Sequence, residues 1–327
     1  MNWVKIPYYI FTDAGWENLS FRLSFTILEI YTLILFIHST FNKDDLNWIS
    51  KILMASFFIV CLASIRHNNI LTNCTFISPR TIRIKAQFTH PNLLASYLIM
   101  VIPLFFNWIN KFKLLYFLFF TLGVIALIFT GSMGGAIAFF IGILIYCLSL
   151  EKLRRSHIFK ILVISLIFIL LMISGKIIHE KIKSIGLQSA SHGRLFIWRS
   201  AFSSIKENPL FGTGLGTSHQ SIKKYYFYPE GGDHLYPHAH NIYIDALLQT
   251  GILGGILSFI PFGYIFWKKK GLLRDQNTSI EKAFFIGLIS ILIHSIFDST
   301  PCFFIISFLM AIFFSFLSMN EKVFRES

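Results

Sequence analysis

Apolar residues in this chain come in blocks of bilayer length, separated by short polar connectors. An apolar run of roughly 18 or more residues is the mark of a helix that crosses a membrane, since it takes about 20 residues to cover the hydrocarbon core. There are about nine such blocks, at 21–38, 48–65, 93–109, 114–130, 134–150, 158–174, 241–267, 283–297 and 301–318. They predict an all-α protein, a polytopic transmembrane helix bundle. The longest polar stretch is 175–240, and it predicts a large loop containing short helices. The expected organisation is therefore about six spans in 1–174, the loop in 175–240, and about three spans in 241–327. No internal repeat or low-complexity tract interrupts this pattern.

Composition supports the same class. Of 327 residues, 54% are hydrophobic and 14% are charged, against about 25% charged in soluble domains. One compact core could not hide so much apolar surface from water. The net charge of +13 would suit a nucleic-acid partner, but the basic residues fall in connectors between spans, and nucleic acid is not expected. Lys111 and Lys113, then Lys152, Arg154 and Arg155, then Lys268, Lys269, Lys270 and Arg274, then Lys322 and Arg325 all lie on one side if the helices alternate. The positive-inside rule makes that side cytoplasmic. The connectors GSMGG (131–135) and DSTP (298–301) then face outward, as do 66–92 and 175–240. The two long outer segments carry Arg66, Arg80, Arg83, Lys181, Lys183, Arg194 and Arg199, a basic surface suited to an anionic ligand. An odd number of spans puts the N-terminus outside. No cleavable signal pattern opens the chain, so the first span is expected to direct insertion. Cys61, Cys74, Cys147 and Cys302 form no metal-type spacing.

Chemistry concentrates in the outer loop. In 191–209, Leu195, Trp198, Phe202 and Ile205 recur at helical spacing, which predicts a short amphipathic helix ending at Asn208-Pro209. Arg194 and Arg199 lie on it, as ligand-binding groups or as arginines snorkelling to headgroups. FGTGLG (211–216) lacks the strand, the spacing and the Lys-Ser/Thr of a nucleotide loop, and reads as a flexible turn. GGDHLYPHAHN (231–241) clusters Asp233, His234, His238 and His240. Three readings stand side by side: a metal site of H-x-H type, acid–base catalysis by a histidine, or a solvated polar loop. Asn241, Asp245 and Gln249 then follow at i, i+4 and i+8, on one face of the next span. Polar groups in line on a membrane helix are expected to face a cavity. His294 and Asp298, four apart, read as a hydrogen-bonded pair in a second wall of that cavity.

GRLFIWRSAFSSIKENPLFGTGLG followed by PHAHNIYIDALLQTGILGG resembles the O-antigen ligase and polymerase family of bacterial membrane glycosyltransferases. FTHPNLLASYLIMVIPL (88–104), TGSMGGAIAFFIGILI (130–145) and HSIFDSTPCFFI (294–305) are similar to further parts of it, so the resemblance runs from about residue 80 to residue 318. It implies transfer of a glycan from a polyprenyl diphosphate lipid to an acceptor hydroxyl on lipid A core, another glycan or a protein. The site would face the periplasm from the bacterial inner membrane. It implies neither a nucleotide sugar, nor a cofactor, nor a metal. The family's loop arginine and histidine match Arg194 and His240, which are expected to be catalytic. His238, Asn241, Arg199, Asp245, Asp298 and Arg83 are expected to bind substrate. The family's short outer turn reads Ser-Arg-Gly, with its arginine at the diphosphate, whereas this chain has Ser132-Met133-Gly134. Either Arg80, Arg83 or Arg199 is then expected to supply the missing charge, or the donor is handled differently, or activity is impaired.

The expected reaction is direct, inverting displacement. His240 takes the proton of the acceptor hydroxyl, Asp245 orients His240, and arginine stabilises the departing diphosphate. The rival readings are a transporter, which would hold its site near mid-membrane on interrupted helices, and a non-catalytic subunit of a polysaccharide assembly system.

Overall fold

A computed structural model describes residues 19–67, 83–108, 113–150, 190–226, 238–275 and 279–319. Every regular element among them is helical. The expected span at 158–174 lies outside the described residues, as do Arg80, Cys74, Asp233 and His234. The helices are α1 (Leu19–Thr40), α2 (Leu46–His67), α3 (Pro91–Val101), α4 (Lys113–Thr130), α5 (Met133–Leu148), α6 (Ala190–Glu207), α7 (Ser218–Tyr225), α8 (Ile242–Lys269), α9 (Ile280–His294) and α10 (Phe304–Ser318). Two stretches, Lys43–Ser64 and Ile242–Leu273, are long and apolar enough to cross a membrane, and the other apolar helices are shorter.

The chain divides into two compact units. One contains residues 30–164, 264–294 and 305–327. Within it α9 packs on α5 and α3, and Phe284 stacks on Phe313 with ring centroids 4.1 Å apart. Proline at the first position of α3 fits a helix start, where no N–H is needed, and the His90 side chain caps it by accepting from the Asn92 N–H. The unit has two chemically different ends. At the start of α9, Glu281 meets Lys43 at 2.8 Å and Lys269 at 3.5 Å. At the finish of α9, His294 lies within hydrogen-bonding distance of Ser96 (3.0 Å) and Ser132 (3.3 Å).

The other unit comprises residues 1–29, 165–263 and 295–304. Its core joins Ile197 and Ala201 of α6, Ile222 of α7, Ala239, and Ile244 and Leu248 of α8. The α6 helix ends at Glu207, just before Asn208-Pro209, as the sequence predicts. Its buried face is offset from its apolar stripe, of which Trp198 and Ile205 pack against the core. Ile197, Ser200, Ala201 and Ser204 are buried, while Leu195 and Phe202 are exposed at 55% and 48%. Small side chains on that face let α7 pack closely, and the Ser200 hydroxyl is satisfied inside the helix by donating to the Phe196 carbonyl.

The helix α8 is broken at Gly251 (φ 65°, ψ −170°), a backbone region open essentially to glycine. A break inside an apolar helix frees carbonyls and N–H groups that lipid cannot satisfy. Here the segment 208–216 satisfies them. Thr213 and Gly214 donate their N–H groups to the Leu248 and Gln249 carbonyls, both at 2.9 Å. Ile252 donates to the Pro209 carbonyl at 2.8 Å and Leu253 to that of Leu210 at 3.3 Å. FGTGLG is thus a turn, with positive φ at Gly212, Gly214 and Gly216, but a pinned one. Its backbone is committed to the broken helix, which corrects the expectation of flexibility.

Candidate active site

The tripeptide His238-Ala239-His240 is held from both sides. Ala239 is fully buried. Its N–H donates to Asp245 Oδ1 at 2.8 Å, and its carbonyl accepts from the Trp198 indole N–H at 2.9 Å. With the middle residue clamped, the flanking histidines are fixed in place. Their rings meet edge to face with centroids 4.4 Å apart, and the His240 N–H points at His238 Nδ1, 3.3 Å away. His240 has φ 52°, a conformation that costs a non-glycine residue about 1–3 kcal/mol and that clusters at functional sites. Its Nδ1 lies 3.2 Å from Asp298 Oδ1. Asp298 is buried, and the same oxygen accepts from the Ser299 N–H at 2.8 Å.

The carboxylate that faces His240 is therefore Asp298, where Asp245 was expected. Asp245 sits in the first turn of α8, and helical side chains lean toward the N-terminus. It reaches back to the Ala239 N–H and accepts from the Ser299 hydroxyl. Asn241 caps α8, accepting from the Tyr243 and Ile244 N–H groups and donating to the Ile296 carbonyl. Gln249 accepts from the Gly216 N–H at 2.7 Å. The polar line 241–245–249 thus has protein partners at each position. α9 stops at His294, so Asp298 lies beyond its helical register.

Arg194 is half-buried and one turn before Trp198 on α6, on the face that meets the histidine tripeptide. Arg199 is five positions on, about 140° around the helix, and exposed. Of the two loop arginines, Arg194 is the more buried and lies one turn from Trp198, the residue that bonds Ala239.

The unit with the α9 bundle carries Arg83. Its guanidinium donates to the Thr130 carbonyl at 2.7 Å and to Asn92 Oδ1 at 2.8 Å, and it packs against Gly131. A cation therefore lies on the 130–132 turn, immediately before Met133, whose own side chain is 48% exposed. Cys61, Cys147 and Cys302 are free thiols.

Residues 117–259 match the family model described as O-Antigen ligase. Over that stretch, which is under half of the chain, the sequence is similar to the O-antigen ligase family. No curated protein matches it. The match supports a glycosyltransferase-type enzyme of polysaccharide biosynthesis, a family that acts on lipid-linked glycans and acceptors. The O-antigen ligase segment includes Met133, Arg194, His238, His240 and Asp245, and it stops short of Asp298.

Two residues of this candidate site escape sequence reasoning. Trp198 reads as one apolar position of an amphipathic helix, and nothing in its spacing signals a bond to Ala239. Ser299 stands in the DSTP connector, and its hydroxyl donates to Asp245.

Proposed function

We propose that the protein transfers a glycan from a polyprenyl diphosphate carrier to an acceptor hydroxyl at the periplasmic face of the inner membrane, with His240 as general base and Asp298 as the residue that orients it. The observation that carries the reading is the contact between His240 Nδ1 and Asp298 Oδ1 at 3.2 Å. A carboxylate only accepts, so Nδ1 holds the proton in this contact and the lone pair sits on Nε2. Nε2 takes the acceptor's proton as the acceptor oxygen bonds to the anomeric carbon. The bond from that carbon to the diphosphate oxygen breaks, and the diphosphate leaves with the electron pair. Arg194 stabilises that charge with paired N–H donors. Arg83 supplies a cation beside the Ser132-Met133-Gly134 turn.

The orientation is supported by the two ends of the α9 bundle. Lys43, Lys269 and Glu281 gather where alternating spans put the cytoplasm, and Arg83, Asn92, Ser132 and His294 gather where they put the outside. The break in α8 resembles the interrupted helices of transporters. Its freed carbonyls at Leu248 and Gln249 already accept from Thr213 and Gly214, which favours an enzyme scaffold over an ion site.

The test is glycan transfer by purified His240→Ala protein. A loss of about 10²–10⁴-fold in kcat is expected, the usual share of general-base catalysis, with donor binding retained. Full activity in a folded variant would remove His240 from the reaction.

A further inference from the structure

His238, His240 and Asp298 each offer one ligand atom, and the three atoms lie within 4.8 Å of one another. We propose that this triad binds a single transition-type divalent cation, zinc above all, and that the bound ion switches transfer off. The inhibitory half of the inference rests on His240 acting as the base, and the binding half does not.

The donor set decides the class of ion. Two imidazole nitrogens and one carboxylate oxygen suit zinc, copper, nickel and iron, whereas magnesium and calcium prefer oxygen cages. Three protein donors leave a fourth position for water, the arrangement of an open zinc site. Rigidity supports it independently. The Ala239 backbone is fixed by Asp245 and Trp198, so both rings are held beside Asp298 before any ion arrives. Zinc bonds of about 2.0–2.1 Å put tetrahedral ligand atoms roughly 3.4 Å apart, which side-chain rotations on the order of 1 Å would reach.

Inhibition follows from the chemistry of imidazole. A neutral ring has one lone pair. Whichever nitrogen of His240 takes the ion, the other carries hydrogen, and no lone pair is left for the acceptor's proton. The ion and the proton therefore compete for the same electrons.

The experiment uses full-length protein in detergent. Zinc binding is read by calorimetry, and cobalt(II) binding by its visible absorption. One ion per chain is expected, with no response to magnesium. Asp298→Asn and His238→Asn each remove one ligand, and each should weaken zinc binding by at least about 100-fold, since even outer-shell partners of a metal cost about 10–100-fold. Saturating zinc should depress transfer by about 10²–10⁴-fold, and chelator should restore it. Absence of zinc binding, or binding that both variants leave unchanged, overturns the site. A wild-type enzyme that chelator inactivates and zinc revives overturns the inhibitory role, because the ion would then serve the reaction. Zinc bound with normal affinity while His240→Ala transfers glycan at the wild-type rate would refute the base assignment and leave the metal site standing.

Discussion

His240 and Asp298 stand 58 positions apart in the chain and meet at 3.2 Å through Nδ1 and Oδ1. One ends the outer loop and the other follows α9, so the pair exists only in the folded unit. Asp298→Asn tests what the carboxylate does. Asparagine can present a donor amide to Nδ1 and favour the ring form with its hydrogen on Nε2. We expect kcat to fall by about 10²-fold or more and KM for the donor to stay near its wild-type value. A variant with intact kcat would make the pair a structural contact alone.

Arg194→Lys keeps the charge but loses the planar fork that grips a diphosphate. Transfer should drop by at least about tenfold, in line with the larger worth of charge-assisted paired bonds. Arg199→Ala, at the more exposed position on α6, should stay within about twofold of wild type. Equal losses in the two variants would mean that position on the helix face does not select the functional arginine.

Arg83→Ala removes the cation from the Thr130–Ser132 turn together with its bonds to Thr130 and Asn92. Weaker donor binding is expected, and adding Met133→Arg in the same chain should restore part of it. Rescue read as donor affinity would place the diphosphate at this turn. A double variant no better than Arg83→Ala would leave Arg83 a structural brace.

Run length disclosed the helices because their apolar character is uniform over many residues. The spans expected at 114–130 and 134–150 fall on α4 and α5 with boundaries shifted by one or two residues. The face of α6 was not legible. Ile197, Ala201, Ser200 and Ser204 form the buried stripe because small residues permit close packing, while the larger Leu195 and Phe202 give the stronger apolar signal and remain outside. Arg194 and His240 were singled out by motif resemblance. The partner of His240 was not, since nothing along the sequence chooses between Asp245 and Asp298. The choice is made by the backward lean of the Asp245 side chain onto Ala239.

Gly251→Ala should be among the most damaging small substitutions in α8. Its φ of 65° with ψ of −170° is glycine territory, and a Cβ there would run into the Leu210 carbonyl. The backbone strain alone is worth about 1–3 kcal/mol. Thermal unfolding in detergent should show a lower midpoint, whereas Ile256→Ala on the exposed face of the same helix should show little change. Equal midpoints for the two variants would mean that the break is not held as described.

The same break constrains how the protein is made. A continuous apolar helix can rest in lipid alone once it leaves the insertion machinery, since its own ladder satisfies its backbone. α8 cannot. Until Pro209, Leu210, Thr213 and Gly214 arrive, its interior holds two bare carbonyls and two bare N–H groups, each costing several kcal/mol in hydrocarbon. Those partners precede α8 in the chain and emerge from the ribosome first. Biogenesis therefore has an order written into it: the 208–216 turn must be in place to receive α8 as that helix enters an apolar environment.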